Sequence, residues 1–71
     1  MSQDTVYEKR VRSAFYRIQQ QRIKVGSISE LLSYTGAAKL APVPEIFFST
    51  SNSPSVKKLL SEINHYIEES K

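Results

Sequence analysis

Apolar residues recur every three or four positions from Val56 to Ile67, and no other stretch of the chain repeats so cleanly. Val56, Leu59, Leu60, Ile63, Tyr66 and Ile67 share one side of a helical projection. Lys57, Lys58, Ser61, Glu62, Asn64, His65, Glu68 and Glu69 fill the other. A helix over 54–69 follows, with Ser53 as N-cap, Pro54 at the first helical position and one apolar face for docking.

A second stripe marks a long first helix, expected from about Val6 to Lys24. Tyr7, Val11, Ala14, Phe15, Ile18 and Val25 fall in one sector. Thr5 and Glu8 have the spacing of a capping box, and Gly26 is the expected left-handed stop. A short second helix over 28–35 is expected next, capped by Ser27 with Glu30 and stopped at Thr35-Gly36; Ile28, Leu31 and Leu32 face inward.

Residues 37–48 break the pattern. Pro42 and Pro44 forbid a continuous helix, yet most of the segment is apolar. Ala37 to Ala41 suits one helical turn, and Glu45 to Thr50 either a short strand or another turn. Such a segment either folds into the core or forms an interface. The fold class is therefore all-α: one compact three-helix domain over 1–71, with a Pro-containing irregular segment between helices two and three. Its expected core is Tyr7, Val11, Phe15, Ile18, Ile28, Leu31, Leu32, Leu40, Ile46, Val56, Leu59, Leu60, Ile63 and Ile67.

Composition narrows the function classes. The 71 residues include no cysteine, which removes disulfides, Cys-based metal sites and thiol catalysis together. The start, Met1-Ser2-Gln3-Asp4, carries no signal-peptide pattern, and no stretch is apolar enough for a membrane span. A cytoplasmic protein is expected, with no membrane partner. Catalysis needs convergent groups in a pocket. The single histidine, His65, lies on a polar helix face, both glycines have helix-stop roles, and the acids are scattered. No enzyme, no cofactor and no metal site are expected.

Charge is uneven. Residues 1–35 hold six bases and three acids, whereas residues 36–71 hold four of each, so the net charge of +3 lies in the first half. Arg10, Arg17 and Lys24 recur every seven positions along one flank of the first helix, with Arg12 further around. Lys57 and Lys58 sit in the first turn of the last helix and Glu68 and Glu69 in its last turn, both against the helix dipole. Together Arg10, Arg12, Arg17, Lys24, Lys57 and Lys58 form a candidate phosphate-binding set for DNA or RNA. Ser29-Glu30-Leu31-Leu32 followed by Gly36 resembles the first helix and turn of helix-turn-helix proteins. The family has a small residue where Leu32 stands, and Pro42 and Pro44 fall where it has a groove-reading helix.

Two functions follow. One is a small regulatory protein that binds nucleic acid through the basic set. The other is an adaptor or inhibitor that docks on a larger protein through Val43, Ile46, Phe47 and Phe48. Adjacent Phe47 and Phe48 would face opposite ways if extended, leaving one ring outside. A small chain with generous apolar stripes also suits a homodimer.

Overall fold

A computed structural model describes residues 3–70. The polar start at Met1-Ser2, used above to argue against a signal peptide, lies outside the described residues. The chain folds as four helices rather than three: α1 Gln3–Gln21, α2 Ile28–Ser33, α3 Ile46–Thr50 and α4 Pro54–Ser70. Among the described residues there is no strand, only an isolated bridge between Ala37 and Leu40. The Cα radius of gyration is 11.5 Å.

Helix α1 begins and ends earlier than its pattern suggests. It already runs at Gln3, so Thr5 lies inside it, and Glu8 accepts from Arg12 Nε at 3.0 Å one turn ahead. The stop is Arg22, not Gly26. Arg22 takes φ 53°, and no glycine has positive φ. The Arg22 amide donates to the Gln19 carbonyl and the Ile23 amide to the Ile18 carbonyl, the two bonds of a Schellman ending. The reversal turns Ile23 and Val25 onto the core, whereas a continued helix would set them about 200° apart. Gly26 instead donates its amide to Glu30 Oε2 at 2.6 Å, while Ser27 Oγ accepts from the Glu30 amide. Ser27 thus caps α2 as expected, with Glu30 reaching one residue further back.

Helix α3 accounts for most differences from the expected core. The carbonyls of Pro44 and Glu45 accept from the amides of Phe47 and Phe48, so the prolines precede the helix, where a missing N–H costs nothing. Adjacent rings on a helix stand about 100° apart rather than on opposite sides. Phe47 and Phe48 are therefore both buried, and Phe47 meets Tyr7 edge-on at 5.5 Å. Val43 is also buried, but Leu40 and Ile46 remain 56% and 63% exposed. The core is Val11, Ala14, Phe15, Ile18, Val25, Leu31, Leu32, Val43, Phe47, Phe48, Val56, Leu59, Ile63 and Ile67, with Tyr7, Ile28 and Leu60 packed at its edge.

Helices α1 and α4 pack in the same sense. Arg12 meets the Ser55 carbonyl at the start of α4, and Phe15 packs edge-on against Tyr66 near its end, with centroids 5.7 Å apart. The Tyr66 hydroxyl donates to the Ile23 carbonyl at 2.7 Å, tying the end of α1 to α4.

Candidate interaction surface

The six basic residues do not form one surface. Arg10 is half-buried and faces inward: its guanidinium donates to the carbonyls of Thr35 at 2.9 Å and Ala41 at 2.5 Å, 5.9 Å from the Tyr7 ring centroid. Arg12 is held by Glu8 and the Ser55 carbonyl. Lys24 lies beyond the end of α1, so the seven-residue ridge stops at Arg17. Arg17, Lys24, Lys57 and Lys58 are exposed, with no ion pair among the described residues. Arg10 and Arg17 lie about 160° and 140° around α1 from Arg12, the base that meets the start of α4. The Arg10–Arg17 flank therefore does not join Lys57 and Lys58.

The helix-turn-helix resemblance also ends here. Where the groove-reading helix would begin, Ala37 and Leu40 exchange amide–carbonyl bonds at 3.0 and 3.1 Å around a tight turn with Ala38-Lys39 at its tip. The helix that follows, α3, has five residues and uses both rings for the core.

This segment, 36–46, is the most unusual surface of the molecule. Ala37, Ala38, Leu40, Ala41, Pro42, Pro44 and Ile46 are all exposed. Scattered surface apolar residues need no explanation, whereas contiguous exposed apolar patches are where contact surfaces are generally found. The backbone beneath them is pinned. Arg10 holds the carbonyls at either end of the turn. The buried Thr35 hydroxyl donates to the Leu32 carbonyl at 2.6 Å and accepts from the Val43 amide at 2.8 Å. Gly36 lets Pro42 approach closely: a Cβ there would stand 3.1 Å from Pro42 Cγ. Of the expected docking set, only Ile46 is on the outside; Val43, Phe47 and Phe48 hold the segment down from within.

A second concavity lies between α1 and α4. This open groove of about 660 Å³ has Phe15, Leu59 and Tyr66 along its floor and Tyr16, Glu62 and His65 among its rim residues. Tyr16 is 64% exposed, and His65 Nε2 lies 2.9 Å from Glu69 Oε1. Among the described residues no group of three or more His, Asp or Glu side chains is placed to hold a metal ion. No described helix is long and apolar enough to cross a membrane.

The apolar pattern marks this segment as unusual, and of the four residues expected to dock, the fold leaves Ile46 exposed and buries Val43, Phe47 and Phe48. Leu40, expected in the core, lies outside, and Arg10, expected on a phosphate-binding flank, anchors the turn together with Thr35, because these roles depend on contacts spanning many positions. No protein-family model matches the chain, and no curated protein or solved structure matches it.

Proposed function

We propose that the protein is a small protein-interaction module whose docking element is the 36–46 segment, with Leu40 and Ile46 as anchors. The observation that carries this reading is the pairing of exposed apolar side chains with a backbone fixed by Arg10 and Thr35. Fully burying a Leu or Ile side chain is worth about 1.5–3 kcal/mol. A segment already ordered loses less conformational freedom on docking, so a larger share of that energy becomes affinity.

The test begins with a photo-crosslinking residue at position 40 to identify the partner. The purified partner is then titrated with the wild type and with Leu40→Asp and Ile46→Asp. At least a tenfold affinity loss, with an unchanged circular dichroism spectrum and weak salt dependence, is expected. Unchanged affinity in both variants overturns the proposal.

One observation favours nucleic-acid binding as a second reading: Arg17, Lys24, Lys57 and Lys58 are exposed without ion pairs among the described residues. Because Arg17 shares no surface with Lys57 and Lys58, one duplex meets at most three of these bases, a salt slope of up to about −2.7 on logarithmic axes. Titration with duplex DNA and with RNA at two salt concentrations separates the readings. Strong, steeply salt-dependent binding that Leu40→Asp leaves intact would favour the nucleic-acid role.

A further inference from the structure

We infer that the 36–46 segment of one copy seats in the α1/α4 groove of a second copy of this chain. The inference rests on the docking role proposed above and names its occupant. Charge complementarity and matching apolar surfaces support it. The turn presents Lys39 and Leu40 side by side at its exposed end, a cation beside an aliphatic anchor. The groove offers an apolar floor of Phe15, Leu59 and Tyr66 with the Glu62 carboxylate at its rim. Neither Lys39 nor Glu62 has an ion-pair partner among the described residues, whereas of the other groove residues Arg12 is paired with Glu8, and the Glu69 carboxylate lies 2.9 Å from His65 Nε2. Leu40 fills the floor, and Lys39 meets Glu62 with Tyr16 alongside.

Helix geometry sets the form of the assembly. The turn is held by Arg10, and the groove is lined by Arg12, about 160° around α1. Turn and groove therefore open on opposite flanks, and one copy cannot fill its own groove. The contact is head-to-tail, so a dimer leaves one turn and one groove unsatisfied and growth continues into a closed ring or an open filament.

Sedimentation of the full chain from low micromolar to millimolar concentration tests this. The wild type is expected to exceed the dimer mass as concentration rises. Leu40→Asp removes the anchor but leaves the groove, and Glu62→Lys spoils the groove but leaves the turn; each alone is expected to stay monomeric and folded. Mixed together, the two variants are expected to form a one-to-one dimer and stop there, because only one turn and one groove remain compatible. The charge-swapped Lys39→Glu/Glu62→Lys chain is expected to regain self-association. A wild type that stays monomeric throughout, a Leu40→Asp chain that still associates, or a mixture that fails to pair overturns the inference. Crosslinking from position 40 to a different protein, with a monomeric wild type, would overturn self-docking while leaving the module role intact.

Discussion

Arg10 on α1 donates to the Ala41 carbonyl across 31 positions of the chain, and so an arginine that looks like surface charge acts as a clamp. Its second bond, to the partly buried Thr35 carbonyl, makes removal costly, since both acceptors lose a charged donor. Arg10→Ala is expected to destabilise the domain by about 2–3 kcal/mol, hydrogen bonds to charged groups being the stronger class. Arg17→Ala, one ridge position further on and exposed, is expected to stay within about 0.5 kcal/mol of wild type. Urea unfolding of the two variants side by side checks the contrast.

Thr35 performs the companion task from inside. Thr35→Val keeps the volume but leaves the buried Val43 amide without its acceptor. A loss of about 1–3 kcal/mol is expected, with Thr35→Ser recovering most of it. Amide exchange at Val43 should accelerate in the valine variant beyond the change at Ile63.

Phenylalanine truncation in α3 reports on folding rather than docking. Phe47 is buried and packed on Tyr7, so Phe47→Ala is expected to cost about 3–5 kcal/mol. A domain of this length commonly holds only about 4–11 kcal/mol in total. Thermal unfolding by circular dichroism should show a large drop in midpoint for Phe47→Ala and almost none for Ile46→Asp.

Arg22 occupies left-handed backbone at φ 53°. A non-glycine residue there costs about 1–2 kcal/mol, part of which glycine offsets by its greater freedom when unfolded. Arg22→Gly is expected to stabilise the domain by up to about 1 kcal/mol, and β-branched Arg22→Val to destabilise it. Both are read from thermal midpoints, which shift about 4–8 °C per kcal/mol in domains of this size.

The parts legible in the sequence were those encoded by local periodicity. Helix α4, the stripe of α1 and the Ser27 cap of α2 all follow from spacing and capping chemistry within a few residues. The end of α1 did not, because Gly26 is the better left-handed residue by propensity, while burial of Ile23 and Val25 favours a stop at Arg22. Phe47 and Phe48 were misplaced because an extended segment and a single helical turn predict opposite ring arrangements, and five residues are too few for a period to show. The basic set was legible as composition but not as a surface. Which arginines face inward depends on carbonyls at Thr35, Ala41 and Ser55, far away along the chain. The 36–46 segment stood out as apolar, whereas its large exposed members, Leu40 and Ile46, needed the core to be known first.

The turn at Ala38-Lys39 divides the chain into two lengths that meet across it. Besides the Ala37–Leu40 pair at the turn itself, Arg10 reaches Ala41, Arg12 reaches Ser55, and Tyr66 reaches back to Ile23, so further bonds join the two lengths away from the tip. A tryptic cut after Lys39 is therefore expected to leave a nicked domain whose fragments stay associated through α1 and α4, checked by size-exclusion chromatography of the nicked protein. The same bond is the natural place to divide the protein into complementing halves, each supplying one wall of the groove.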